Sequence, residues 1–422
     1  MMRIVHLCTN DFGGAAVAAI NLHEALLAQG IESDLLTLGR TRNDVQRHHA
    51  IAPFELCGTP LLARAQYRAR RALEKAGLVE DRSIGPGNAN LQGRPPGLEI
   101  FSLPYSFFDA DRHPLVQQAD IVHLHWVSRG MIGFDRFFAR CSTPIVWTMH
   151  DMNPFTGGCH HADACQGFTR ECQECPQLAD KNKAHGWWRV KQVALRNFPM
   201  DRMALVAPSE WLAARARQST ILADRDCTVI PNGFNLRTFK PMQREEARAA
   251  LGLPMEARII LFSAFDASNP RKGMTLLLRA LDELGTDAHL VSMGHPMQEL
   301  LHRLNTTSTG LLTEASLIAM HYAAADLFVL PSQAENLPNT ICESLLCGTP
   351  VVAFNVGGIP EQIHAGNGLL VEAGHADGLR DAMREALLHP WDRPTIAASA
   401  AARYDRTPIA GRYAELYRDL RP

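Results

Sequence analysis

Glu335 and Glu343 stand eight positions apart in the run Ala334-Glu335-Asn336-Leu337-Pro338-Asn339-Thr340-Ile341-Cys342-Glu343, with Gly348-Thr349-Pro350-Val351-Val352-Ala353 following. Proline suits the first position of a helix, where its missing N–H costs nothing, so the spacing predicts a helix opening at Pro338 and ended by Gly348. The unpaired N–H groups and positive dipole end of such a helix suit a diphosphate. Glu343 then lies about two turns along, where a carboxylate can accept two bonds from ribose hydroxyls. Two glutamates at this spacing also occur by chance as an exposed pair. The flanks favour a sugar-nucleotide site: the apolar run Leu327-Phe328-Val329-Leu330 reads as a buried strand before the motif, and Val356-Gly357-Gly358-Ile359-Pro360-Glu361 reads as a small-residue turn after it.

Other reactive types gather at predicted strand ends. Asn269-Pro270-Arg271-Lys272-Gly273 precedes a leucine-rich helix. Two cations at a helix start oppose its dipole unless an anion binds there, although a solvated basic turn is the plain alternative. Thr148-Met149-His150-Asp151 closes another strand, and Gly13-Gly14-Ala15 forms a turn between strand and helix without a complete dinucleotide fingerprint. His123 and His125, two apart on a strand, share one face and read as packed there. Asp109-Ala110-Asp111 reads as a turn far in sequence from the glutamate motif.

Cys159, Cys165, Cys172 and Cys175 fall within seventeen residues, beside His160, His161 and Pro176. In a reducing compartment four grouped thiols fit a structural zinc better than disulfides, with metal-free thiols as the alternative. Such a metal contributes folding free energy rather than chemistry.

Positioning these residues requires an α/β chain. Strand-like runs alternate with helical stretches from Ile4 onward, and 422 residues are enough for two domains. Predicted strands cover Ile4 to Leu7, Ser33 to Leu38, Ile121 to His125, Pro144 to Thr148, Ala204 to Ala207 and Cys227 to Ile230. Further strands follow at Arg258 to Phe262, Ala288 to Ser292, Leu327 to Leu330 and Val351 to Phe354. Residues 40 to 100 fit this alternation least well. The boundary is expected where Pro231-Asn232-Gly233 leads to Phe239-Lys240-Pro241. Helical spacing at Tyr413, Leu416, Tyr417 and Leu420 predicts a terminal helix.

A net charge of −2 gives no global field for nucleic acid. No run is long and apolar enough to span a bilayer, and the start of the chain does not read as a signal peptide, so a cytoplasmic location is expected. Arg64, Arg68 and Arg71 share one face of a basic stretch, which reads equally as a solvated surface or as peripheral contact with anionic lipid.

The segment from Glu335 to Glu361 resembles the donor-binding motif of retaining glycosyltransferase family 4, and the likeness covers nearly the whole chain. It implies two doubly wound Rossmann-like domains facing a cleft, the GT-B fold. An N-terminal acceptor-side domain would span 1–240 with a four-cysteine insertion at 159–175, and a nucleotide-sugar domain 241–405. A final helix, 406–422, would cross back to the first domain. The implied activity is hexosyl transfer from a nucleoside-diphosphate sugar to a glycan or polyprenyl-linked acceptor, with retention and no metal in catalysis. Glu335 would face the donor sugar and Glu343 hold the ribose, while Asn336, Leu337, Pro338 and Asn339 meet sugar and phosphate. His150 would point toward the transferring sugar, Gly14 line the cleft, and Lys272 bind diphosphate. The family's arginine a few residues before that lysine is replaced here by Phe265 to Ser268, leaving Arg271 as the substitute. The cysteine layout is similar to a subgroup from exopolysaccharide pathways such as colanic acid synthesis, acting at the inner face of the membrane. A sugar-nucleotide epimerase or phosphorylase on the same fold, or a zinc-dependent binding protein, are the competing readings.

Overall fold

The computed structural model describes residues 2–51, 91–95, 97–285, 288–303 and 305–420, with a few positions between 61 and 73. Its chain forms two units, Met1–Ile230 with Thr407–Pro422, and Pro231–Arg406. Arg64 and Arg71 of the basic stretch lie outside the described residues, as does most of 52–90.

The first unit is built on seven parallel strands: β1 (Arg3–Leu7), β2 (Glu32–Thr37), β3 (His48–Ala50), β4 (Ile121–Leu124), β5 (Ile145–Thr148), β6 (Met203–Ala207) and β7 (Cys227–Val229). They lie in the order β3-β2-β1-β4-β5-β6-β7. Successive side chains of a strand point to opposite faces, and both faces here are covered, so apolar residues fill both sides of the central strands and the polar ones among them need partners. Val5, Leu7, Val122, Leu124 and Trp147 join one core cluster. Ile4, Ile121, Val146 and Val206 join another on the opposite face, together with Ile409, Ala410, Tyr413 and Tyr417 of the terminal helix Arg406–Leu420. On that second face the Tyr417 hydroxyl meets His123 Nδ1 at 2.6 Å, and Thr148 Oγ1 meets both His123 Nε2 and the Tyr413 hydroxyl at 2.8 Å.

In the second unit six parallel strands run in the order β10-β9-β8-β11-β12-β13. They are β8 (Arg258–Asp266), β9 (Ala288–His295), β10 (Thr306–Gly310), β11 (Leu327–Leu330), β12 (Val351–Phe354) and β13 (Gly368–Val371). Alternation is again complete: Leu261, Phe328, Leu330, Val351 and Ala353 pack on one side, and Ile260, Phe262, Leu327, Val329, Val352 and Phe354 on the other. The two ends of this unit are clasped together. Phe234 N–H donates to the Tyr404 carbonyl at 2.8 Å, and Arg406 N–H to the Phe234 carbonyl at 3.0 Å.

The first unit ends at Ile230, ten residues before the expected boundary at 240. Phe234 and Phe239 bury in the core of the second unit, which draws that stretch to it. Strands β3, β10 and β13 are additions to the sequence reading, and the terminal helix begins at Arg406, where that reading starts it. Among the described residues no helix is long and apolar enough to cross a membrane.

The Tyr417 hydroxyl is buried, and replacing it strands a ring nitrogen of His123. Tyr417→Phe is expected to lower the unfolding free energy by about 1–3 kcal/mol in urea titrations, with little change in the denaturant slope.

Candidate functional site

Following β11, the chain turns through Pro331 to Pro338 and enters the helix Asn339–Leu346. Pro338 is the residue just before this helix, with φ −65 and ψ 124, not its first turn as the sequence reading had it. Gly348, with φ 76, follows the end of the helix. Two glycines hold the turn from either side. A Cβ on Gly273 would lie 1.9 Å from the Pro331 carbonyl oxygen, and one on Gly357 would lie 1.7 Å from that of Glu335; both residues have positive φ. Gly358 N–H also donates to the Asn336 carbonyl at 2.8 Å, and Gln333 N–H to the Arg271 carbonyl at 2.7 Å.

These loop contacts bring Glu335 against the basic pair. Glu335 Oε1 accepts from Lys272 Nζ at 2.6 Å and from Arg271 Nη1 at 3.0 Å, and Arg271 Nη1 also bonds the Ala334 carbonyl at 2.6 Å. Side-chain exposure is low, at 12% for Glu335, 21% for Lys272 and 16% for Arg271. Two cations share one carboxylate, so the group retains a net positive charge beside the helix entrance. Such charge-assisted bonds in a half-buried site are stronger than exposed pairs. The Asn269 side chain caps the short Pro270–Lys272 turn by accepting from Arg271 N–H, which fixes the loop carrying both cations. Phe265, at a place where the family has its arginine, is 53% exposed.

Asn336 and Leu337 are buried. Asn339 Oδ1 accepts from Asn232 Nδ2 at 2.8 Å. Sequence reasoning treated Asn232 only as part of a turn. Burial pushes the Glu343 carboxyl up to about 7, with Tyr322 opposing part of that rise.

A second cluster belongs to the first unit. Gly14 opens the helix Gly14–Ala28 after β1 and is exposed. His150 follows β5. His125 Nδ1 meets His150 Nε2 at 3.2 Å, and His125 Nε2 meets His6 Nδ1 at 3.0 Å. His6 and His123 are cross-strand partners on β1 and β4, so both rings fall on the same face of the sheet. Burial lowers the His150 value to about 4, with Asp151 opposing, and holds His6, His123 and His125 well below the ordinary range. For His6 and His125 the neighbouring imidazoles add to that depression. Asp151 is directed elsewhere: its Oδ2 lies 2.6 Å from His160 Nδ1 and 2.8 Å from Trp126 Nε1. Burial opposes ionisation of Asp151, but His160 and Asn153 N–H hold its carboxyl down at about 2.

Donor nitrogens of His6, His123 and His125 all lie within 4.8 Å of one another. As a metal site this triad is poor. His123 and His125 are stacked at an interplanar angle of 27° and His6 and His125 at 28°, and stacked rings cannot aim their in-plane lone pairs at one point. Apart from His6 Nε2, their nitrogens are moreover engaged with one another, with His150, with Tyr417 and with Thr148.

Cys159, Cys165, Cys172 and Cys175 line one small cavity of about 20 Å³ with Phe101 and Phe168. Cys172 Sγ accepts from Gly157 N–H at 3.2 Å and Cys165 Sγ from Gly167 N–H at 3.3 Å. Among the described residues no three of these sulfurs gather within 4.8 Å of one another. Lys191, which sequence reasoning missed, is buried nearby and donates to the Asn153 carbonyl at 2.5 Å. Asp109 is consumed by Arg136 at 2.6 Å and Arg140 at 3.2 Å.

Gly357→Ala is expected to cost roughly 2–4 kcal/mol of stability, because the loop carrying Glu335 must move; calorimetric unfolding checks this. The histidines set the acid limb of stability. A group whose folded value lies below its ordinary 6.5 holds fewer protons when folded, so acid favours the unfolded chain. Stability should rise between about 4 and 6.5 and then level, each buried imidazole contributing up to ~1.4 kcal/mol per pH unit. Glu343 acts oppositely, losing stability as pH rises from 4.5 to about 7. One carboxyl against four imidazoles leaves a net gain up to pH 6.5, measurable by denaturant titration across pH.

The comparisons follow the same division of the chain. A model described as Glycosyltransferase Family 4 matches residues 12–238, and one described as Glycosyl transferases group 1 matches 256–389. A putative colanic acid biosynthesis glycosyl transferase, WcaC of Escherichia coli, is 24% identical over 85% of this chain and 84% of its own length. A D-inositol 3-phosphate glycosyltransferase of Thermobispora bispora is 27% identical over 71% and 70%. Among solved structures, sucrose-phosphate synthase from Thermosynechococcus elongatus aligns with a TM-score of 0.68 at 21% identity, covering 100% of this chain and 99% of that one. Anabaena HepE in complex with UDP and glucose aligns at 0.63 and 17%, covering 99% of each. These likenesses carry the GT-B fold, and with more than half of its length matched by one family model, the chain belongs to glycosyltransferase family 4.

Proposed function

We propose that this glycosyltransferase moves a hexose from a nucleoside-diphosphate donor, with retention at the anomeric carbon, to a glycan or polyprenyl-linked acceptor in exopolysaccharide synthesis. The observation that carries the reading is the surplus cation of Arg271 and Lys272 over Glu335, beside the entrance to the helix Asn339–Leu346. A diphosphate satisfies that charge and the positive dipole end of the helix together. Glu335, released in part from Lys272, faces the sugar; Glu343 accepts the ribose hydroxyls; Asn336 to Asn339 supply amides. His150 contacts the transferring sugar, as the family resemblance implies, and Gly14 lies near the donor. The leaving phosphate takes the acceptor's proton in a front-face displacement, because no side chain in this assignment serves as a nucleophile. The likeness to WcaC supports the exopolysaccharide setting, and work on a lipid-linked acceptor would take place at the inner membrane face. Family membership favours transfer over the epimerase and zinc-dependent binding readings.

The four cysteines are proposed to hold a structural zinc. Four thiols line one small cavity, which is the donor set of a closed zinc site, and the metal would have to draw the sulfurs together from their present positions. Metal analysis of the purified protein should find about one zinc per chain, and chelation should lower the melting temperature. Purified, stable protein without metal would remove this assignment.

A melting-temperature screen of UDP, GDP and ADP is expected to single out one base by the larger rise. Glu343→Gln should reduce affinity for that nucleotide at least about tenfold while raising stability at pH 8 by roughly 1 kcal/mol, since a carboxylate held at a cost is removed. Unchanged affinity by titration calorimetry would sink the ribose assignment. The anomeric form of the first product, read by NMR, tests retention.

A further inference from the structure

His6, His125 and His150 of the first unit form a row joined by two nitrogen–nitrogen hydrogen bonds, 3.0 Å from His6 Nδ1 to His125 Nε2 and 3.2 Å from His125 Nδ1 to His150 Nε2. Burial keeps all three neutral near pH 7. A neutral imidazole has one N–H and one lone pair, and each bond needs one of each. The protons must therefore run the same way along the row. Two arrangements satisfy both bonds: every proton on Nδ1, or every proton on Nε2.

The far end of the row decides between them. His6 Nε2 is buried without a partner, in a residue of 0% exposure. If the protons sat on Nε2, that atom would be a buried N–H bonded to nothing. With protons on Nδ1 it is only an unused lone pair, and orphaned buried N–H groups are the rarer and costlier defect. Little rearrangement is available to relieve it. His6 lies on β1, its ring is stacked with His125 at 5.2 Å and lies 4.9 Å from His123, and Trp147 Nε1 donates to the His125 carbonyl at 3.2 Å.

We propose that His6 and His125 are positioning residues that hold His150 in its Nδ1–H tautomer, so that the ring nitrogen not engaged by His125 carries a proton and acts as a donor. The consequence for catalysis rests on the proposed function: an N–H, and not a lone pair, meets an oxygen of the transferring sugar. The sequence places these histidines 119 and 25 positions apart, and only the pairing of β1 with β4 and of β4 with β5 brings them into one row.

Nitrogen-15 NMR of the ring-labelled full chain at pH 7.5 reads the tautomer directly, and the expected result is His150 protonated on Nδ1. His6→Phe removes the first donor and should give a mixture of His150 tautomers, with kcat lowered about tenfold and KM for the nucleotide sugar within about twofold. His6→Asn keeps an amide N–H near the place of Nδ1 and should restore both. A wild-type His150 protonated on Nε2, or a folded His6→Phe chain with unaltered tautomer and kcat, overturns the proposal. Where His6→Phe fails to fold, the wild-type spectrum decides. A His150→Ala chain that transfers sugar at the wild-type rate removes the role of His150 in transfer and leaves the tautomer to be judged on the spectrum alone.

Discussion

A strand in a parallel sheet covered on both faces has no solvent side. Its backbone is satisfied by its neighbours, and its side chains must be apolar or must find polar partners on adjacent strands. In the second unit this condition is met by aliphatic and aromatic residues along β8, β11 and β12, so that polar chemistry is displaced to the loops beyond the strands. In the first unit it is met differently. Imidazoles of this sheet pair with one another, with Thr148 and with Tyr417 of the terminal helix, and Thr148 pairs in turn with Tyr413. The same burial that forbids a charge on these rings makes their hydrogen-bonding directions definite, which is a form of order that exposed histidines lack.

The loops of the second unit follow from a related economy. Glu335, Arg271 and Lys272 are held by backbone contacts as much as by their charges, since Gly273 and Gly357 let neighbouring segments approach the turn within distances no side chain would allow. The ion group is thus presented by tightly packed backbone rather than by a flexible tether. Arrangement before a ligand arrives lowers the cost of ordering it.

The alternation of apolar runs and turn residues made β1, β4, β11 and β12 legible in the sequence, and the residues at the ends of β5 and β11 stood out by type. Less legible were β3 and β10. One is only His48-His49-Ala50, the other is threonine-rich, and each lies at an edge of its sheet, where apolar content is not demanded. The partners of Glu335 could be named by type, but the bonds to Lys272 and Arg271 depend on how two loops 63 and 64 positions apart pack. The role of His6 was invisible for a similar reason, since a lone histidine in an apolar strand carries no periodic signal and its meaning comes from register. Asn232 and Lys191 escaped because a turn and a helix each explained them adequately without a partner.

The first unit also draws its last helix from the end of the chain, while the clasp of Phe234 with Tyr404 and Arg406 closes the second unit within itself. During synthesis the second unit can complete its sheet as soon as residue 406 is free. The sheet made first must wait, because Tyr413 and Tyr417, which pack on its histidine face, are made only after the whole of the second unit. Of the two units, the one whose synthesis begins first is therefore the one completed last.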